Sequence, residues 1–564
     1  MGRKRTDRFL FLGGVPVFDY LITVGWDEIA GATGGKAARV GRRILLPVGT
    51  VFRIRVADPP ETLCLNPLAN REPQTLHDRL YYSLELGGKH PPKSDLSLCA
   101  DEEQVFRELH AAYPQAVPDR SALRVVEVAQ PAHLNLGGNN KNILQTLRTL
   151  YDSPELAEHT RRFSFEHTFF FDTADPRFPL VESLYEELGV GFGDRESVHV
   201  AGLAPRVGYV LTLVEEDGQA LDRIILANRT NEEVIPPEKL RARYFDLEYR
   251  LRKDADFVAT HLVINSMTNP EELRLVARLL QTAYASGVTT YLCPTLTLIR
   301  AVDRMLEAGY YTTQKERFFQ YRHDFLHTAV LPYVRYLILN REELGLVDAA
   351  VDKKGIDATA GALARIMNRG RTGDGPHGGR VIVTGGSKGV RYTERLEPDR
   401  AARFWRKAGL PDDRRVRYAD RRIVCGDDYV TDLRSTLGAG DVFTGVFVGL
   451  NALGWDGGHA LRAATLGAQH FIQSRRRPRI ADMVAVDESH IRMGTETELV
   501  DVISHHVDQS GAPTRYGTIA DTVITIRTTQ IHHPFREVLA LAGTFGDGQA
   551  KAPRRPPARP RAGR

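Results

Sequence analysis

From residue 255 onward, short apolar runs alternate with helical patterns, and this alternation constrains the fold more than any other feature of the chain. Phe257 to Ile264, Val288 to Cys293, Val334 to Leu339 and Val381 to Thr384 have the length and composition of strands. Pro270 to Ser286, Asp357 to Arg369 and Val442 to Leu453 carry helical patterns. Short apolar strands between helices predict an α/β fold whose largely parallel sheet is covered on both faces. Phe9 to Leu12, ending at Gly13-Gly14, reads as a first strand, and Val15 to Val24 resumes an extended apolar pattern.

Length and charge bound the rest. A chain of 564 residues exceeds one ordinary core, and 42% hydrophobic with 26% charged residues is the composition of a soluble globular protein. No apolar run reaches the roughly 18 residues of a membrane span, and the N-terminus lacks a signal-like apolar segment. Cys64, Cys99, Cys293 and Cys425 are scattered without metal-finger spacing, which points to a reducing cytoplasm. The net charge of +4 arises in the tail, where Lys551, Arg554, Arg555, Arg559, Arg561 and Arg564 leave about −2 for everything before them. The folded part therefore makes no electrostatic case for nucleic acid.

Residues 27–130 mix short strands (Arg43 to Val56, Leu80 to Leu86) with Pro, Gly and charged loops, as an inserted, mostly β segment would. Leu134 to Asn142 opens a helix through Leu150, and Val207 to Leu213 and Asp222 to Ala227 flank the hairpin turn Glu215 to Gly218. Residues 481–548 hold a strand at Asp521 to Arg527 and a helix at Pro534 to Ala542, an α/β extension of the core. Residues 549–564 read as a disordered basic tail. His505-His506 and His532-His533 are not metal pairs on this reading, because adjacent strand residues point to opposite faces.

The chemistry centres on Ser435-Thr436-Leu437-Gly438-Ala439-Gly440-Asp441, followed by the apolar run Val442 to Leu450. Gly438 and Gly440 can adopt φ > 0, and the amides of Gly438, Ala439 and Gly440 at a helix N-terminus form an anion hole. Asp441 would repel phosphate as a ligand but suits a general base that takes a proton from a hydroxyl. A tight helix cap is the competing local reading. Asn340-Arg341-Glu342-Glu343 follows an apolar strand, where Glu343 could hold Mg²⁺ through water, or Asn340 could simply cap a helix. Thr384-Gly385-Gly386-Ser387-Lys388-Gly389 is a strand running into a glycine loop, suited to a nucleotide or to a plain hairpin. Asp19 after the first strand, and Gly137-Gly138 before a helix bearing Asn142, could meet substrate hydroxyls.

Taken in order, these motifs resemble the ribokinase-like carbohydrate and nucleoside kinases, the family that includes the minor phosphofructokinases, over residues 9–26 and about 131–475. The resemblance implies a three-layer α/β/α core (1–26 and 131–480, with a lid hairpin at about 205–230) and an enlarged β-rich lid from 27–130. It implies Asp441 as catalytic base and Gly438, Ala439 and Gly440 as the anion hole. It assigns Asn340 and Glu343 to Mg²⁺, Thr384, Gly386 and Gly389 to the nucleotide, and Asp19, Gly137, Gly138 and Asn142 to the phosphoryl acceptor. Asn140 and Leu144 depart from the small residues usual in the early motif, which bears on acceptor identity, and Val446 is likewise larger than usual. The 118-residue step from Asp19 to Gly137, with Ser435-Thr436, is similar to the ADP-dependent sugar kinases, whereas the Thr384 to Gly389 loop looks like the ATP-using branch. ATP is therefore the favoured donor, to a hydroxyl of a sugar, sugar phosphate or nucleoside. A non-catalytic sugar-binding regulator on the same fold is the alternative, and a homodimer is left open.

Overall fold

The structure is a computed structural model. It describes residues 7–40, 43–57, 60–65, 80–85, 89–90, 102–156, 160, 163–215, 220–227, 234–253, 259–309, 320–369, 379–386, 389–396, 402–403, 406, 414–425, 438–455, 457–483, 497–506 and 521–529. The Ser435–Leu437 approach, Ser387-Lys388, the turn 216–219, the helix expected at Pro534 to Ala542, His532-His533 and the tail lie outside them.

An eleven-stranded sheet forms the centre. Its order is Val190–Gly191, Phe163–Thr168, Asp7–Gly13, Ala259–Asn265, Thr289–Cys293, Tyr336–Asn340, Arg380–Thr384, Val390–Leu396, Arg414–Cys425, Thr497–His506 and Asp521–Thr529. Neighbours pair parallel as far as Arg380–Thr384 and antiparallel beyond it. The C-terminal extension thus continues the core sheet. Alternate residues of the five parallel strands from Asp7–Gly13 to Arg380–Thr384 enter two separate apolar clusters. Phe9, Phe11, Val263, Tyr291, Ile338 and Ile382 face one, and Leu10, Leu12, Leu262, Leu292, Leu337 and Val383 face the other. Burial on both faces is why these strands read as unbroken apolar runs. Helices Asn139–Tyr151, Ala439–Ala452 and Gly457–Ser474 contribute to the first cluster, while Pro270–Ala285, Leu296–Glu307 and Val351–Ile366 contribute to the second. The result is a three-layer α/β/α core with a mostly parallel sheet, as expected.

A second, five-stranded sheet has the order His133–Gly137, Val17–Gly25, Arg206–Val214, Ala220–Ala227 and Lys89–His90. Leu134 to Gly137, expected to open the helix, is instead a strand that precedes it, because His133–Gly137 runs antiparallel against Val17–Gly25 and needs extended backbone. Asp19 follows the first core strand and lies within Val17–Gly25, in the extended stretch read from Val15 to Val24. The described part of 27–130 forms two three-stranded sheets plus helices Trp26–Ala32 and Glu102–Ala112. Arg43 to Val56 divides into Arg43–Pro47 and Thr50–Ala57, with Gly49 at φ 95° between them. Ile44, Phe52 and Ile54 of this segment share an apolar cluster with Phe18, Tyr20 and Tyr209 of the five-stranded sheet. The helix expected at Asp357 to Arg369 begins earlier, at Val351, across a kink where Gly355 has φ 80°. Among the described residues no helix is long and apolar enough to cross a membrane.

Candidate active site

The last residues of four parallel strands, Asn265, Cys293, Asn340 and Thr384, open onto one cavity of ≈ 350 Å³. Ligands of open α/β sheets bind at such strand ends. The opposite wall is the five-stranded sheet, through Asp19, Arg206, Gly208, Val210, Arg223 and Ile225. A third side is the N-terminal turn of Ala439–Ala452, with Gly438, Gly440 and Asp441. Among the described residues, none that lines the cavity belongs to 27–130. The described part of that segment packs against this five-stranded sheet.

Helix Ala439–Ala452 is apolar around its circumference because it is buried, Val442 to Leu450 lying wholly inside. Gly445 and Gly449 let Asn139–Tyr151 approach closely; an added Cβ would come within 2.8 Å of Thr146 and of Leu147 respectively. This contact sets the N-terminal turns of the two helices side by side. Asn139 Nδ2 consequently donates to Asp441 Oδ1 at 3.1 Å, and Asn142 Nδ2 donates to Oδ2 at 2.9 Å. Arg477 Nη2 donates to Asn142 Oδ1 at 2.9 Å, so both ends of that amide are committed. Asn142, expected at the acceptor, thus spends its amide on Asp441 and Arg477 while also lining the cavity. Asn139 and Arg477 were missed by sequence reasoning. Asn139 is visible only once the two helices are paired, and Arg477 comes from 335 residues further along the chain than Asn142.

Gly438 caps the helix at φ 83°, as expected. Gly440 does not have positive φ, and a Cβ there meets nothing within 4 Å. Its expected left-handed conformation is therefore corrected: the second glycine sits in the helix and leaves open space. Ala439 is the first helical residue and does not line the cavity.

Asp19 is seated by two glycines. A Cβ on Gly137 would fall 2.1 Å from Asp19 Oδ2, and one on Gly208 would fall 2.3 Å from Oδ1. Gly137 thus acts by making room, and Gly138, at φ 104°, turns the strand into the helix at the cavity edge. Asn140 and Leu144 point away from the cavity. Asn140 Nδ2 donates to the carbonyls of Leu12 and Gly13 where Asp7–Gly13 passes to Val17–Gly25, and Leu144 is core. Neither lines the cavity.

Asn340 and Glu343 form a reciprocal capping box, with Glu343 N donating to Asn340 Oδ1 at 2.8 Å and Asn340 N donating to Glu343 Oε2 at 2.9 Å. Both still line the cavity, so the helix cap and the cavity wall are the same pair. Two oxygen-bearing side chains beside an open cavity fit Mg²⁺, which retains much of its water shell. Thr384 lines the cavity, whereas Gly386 (φ 60°) and Gly389 (φ 75°) form the turn of a hairpin into Val390–Leu396 and do not.

Asn265 was not anticipated. It is 2% exposed at the cavity wall, and its Oδ1 is buried without a hydrogen-bond partner. Only the strand's last position hints at it. Burial, then the like charge of Arg477, pulls buried Lys141 down to about 8 against the attraction of Asp19 and Asp441. Burial also pulls Arg477 down to about 10, opposed by Asp441. Burial, with Glu343 and Asp441 nearby, pushes the Cys293 thiol up, so this cavity cysteine stays protonated.

No known family model matches the chain, and no curated protein matches it. Among solved structures it is similar to an adenosine kinase from Anopheles gambiae in complex with P1,P4-di(adenosine-5) tetraphosphate, at 14% identity and TM-score 0.45 over 83% of this chain and 98% of that one. An adenosine kinase from Sinorhizobium meliloti is 13% identical at TM-score 0.43, over 86% of this chain and all of that one (100%). A ribokinase from Thermotoga maritima is 12% identical at TM-score 0.40, over 86% and 99% respectively.

Proposed function

We propose that the protein is a Mg²⁺-dependent phosphotransferase that moves the terminal phosphate of a nucleotide, ATP in preference to ADP, to a hydroxyl of a sugar, sugar phosphate or nucleoside. The observation that carries this reading is the position of Asp441: an amide-held carboxylate in the first turn of a buried helix, sharing one cavity with Asp19 and with the strand-end residues Asn340 and Thr384.

On this reading Asp19 binds the acceptor hydroxyls, and Asp441 takes the proton of the attacking hydroxyl as the oxygen–phosphorus bond forms and the bond to the nucleotide breaks. The amides at the turn Gly438 to Gly440 receive the phosphoryl oxygens, and the space beside Gly440 accommodates them. Asn139 and Asn142 keep Asp441 aimed. The buried Oδ1 of Asn265 accepts a hydrogen bond from a ligand hydroxyl or amine. Asn340 and Glu343 would hold the water shell of Mg²⁺, which when bound offsets charge on the transferring phosphoryl group. A mainly phosphate-centred transition state needs positioning and charge neutralisation above all.

The test is a panel of ATP and ADP against sugars, sugar phosphates and nucleosides with Mg²⁺, read as phosphorylated product. ATP-dependent product with one acceptor class supports the reading. AMP release from ADP, with ATP inactive, reverses the donor. Saturable acceptor binding with no product from any pair favours the sugar-binding regulator.

A further inference from the structure

His323 and His327 lie one turn apart where helix Arg322–Phe325 runs into the π-helical turn Leu326–Val330. Asp348 caps the C-terminus of Arg341–Val347. One ring nitrogen of each histidine and one carboxylate oxygen of Asp348 lie within 4.8 Å of one another, and the two ring centroids are 3.8 Å apart.

Each side chain is also oriented from behind. His323 Nδ1 faces Asp324 Oδ1 at 3.4 Å. His327 donates to the Val347 carbonyl, while its Nε2 is out of contact with solvent and has no hydrogen-bond partner. Asp348 Oδ1 accepts from Ala350 N at 2.9 Å. An imidazole whose N–H is committed on one side presents a lone pair on the other, which is how metal-binding histidines are held. Two imidazole nitrogens and a carboxylate oxygen, with one histidine exposed to solvent, match a tetrahedral Zn²⁺ whose fourth position is water. A π-helical turn at this point adds to the case, since such turns cluster at functional sites.

We propose that His323, His327 and Asp348 bind one Zn²⁺ ion. The ion staples the segment 322–330 to the C-terminus of helix Arg341–Val347. That helix carries Asn340 and Glu343 at its other end, about 10 Å away at 1.5 Å per residue, so the staple braces one wall of the cavity from outside it. The assignment does not depend on the phosphotransferase reading.

The experiment uses the full chain, stripped with a chelator and titrated with Zn²⁺ alone against a chromogenic competitor. Wild type should bind one equivalent tightly, and H323Q, at an exposed position that leaves packing intact, should bind at least about 100-fold more weakly. Asp348→Asn should weaken binding similarly. Zn²⁺ should raise the wild-type unfolding midpoint and leave that of the H323Q/H327Q double variant unchanged. Equal Zn²⁺ affinity in wild type and H323Q, or no stoichiometric binding by wild type, overturns the assignment.

Discussion

Gly440 provides an unusually clean separation of stability from chemistry. Its φ is not left-handed, it lies in the first turn of Ala439–Ala452, and a Cβ there meets nothing within 4 Å beyond its own turn of helix. Gly440→Ala should therefore stabilise the fold by roughly 0.5–1 kcal/mol, through the unfolded chain's lost freedom and the better helix propensity of alanine. The same methyl group intrudes into the space assigned to the phosphoryl oxygens, so phosphoryl transfer should fall. A displacement on the order of 1 Å in a reacting group costs about 100-fold, and that sets the expected loss. Gly438→Ala is the contrast: at φ 83° the substitution is strained and should lower both stability and activity. Denaturant unfolding gives the first quantity and initial rates with saturating nucleotide give the second. Full activity in a stabilised G440A would show that no phosphate passes beside Gly440, and the anion hole would be lost from the account.

Gly137→Ala places a methyl 2.1 Å from Asp19 Oδ2, so the KM for acceptor should rise far more than that for nucleotide; an equal rise in both would remove Asp19 from the acceptor's side. Lys141 has its folded pKa depressed from 10.5 to about 8, so its charge opposes folding fully below pH 8 and progressively less up to 10.5. Stability should thus rise across that window, by up to roughly 3 kcal/mol from this group, and the advantage of Lys141→Met over wild type near pH 7 should shrink as pH rises. Parallel unfolding curves for the two proteins from pH 7 to 10 would contradict this. Hydrogen exchange with nucleotide and acceptor bound should slow in Arg206–Val214 and Ala220–Ala227, which line the cavity; protection confined to the insertion strand Thr50–Ala57 would make the insertion the lid after all.

The core was readable because strands buried on both faces leave unbroken apolar runs, and the four parallel strands from residue 255 fall within two residues of their expected bounds. Strands whose pairing is remote were harder. His133–Gly137 looked like the approach to a helix because nothing local announces its partner Val17–Gly25. Phe163–Thr168, Arg414–Cys425 and Thr497–His506 were not anticipated, since mixed polar runs gain strand identity only from their neighbours in the sheet. At the site, glycines and the acid at the helix start were legible from local chemistry. The network around Asp441 was not, because Asn139 meets Asp441 only once Gly445 and Gly449 bring the two helices together, and Arg477 reaches Asn142 from far along the chain. Gly386 and Gly389 show the opposite case, a motif in place whose glycines shape a hairpin turn and do not reach the cavity.

The central claim is that Asp441 is the base. Asp441→Asn preserves the side chain's shape while removing its ability to accept a proton. Turnover and nucleotide affinity should be measured on the same preparation of this variant. A fall in turnover of at least about 100-fold, with nucleotide affinity little changed, is the predicted result; retention of more than half the wild-type rate would contradict the account.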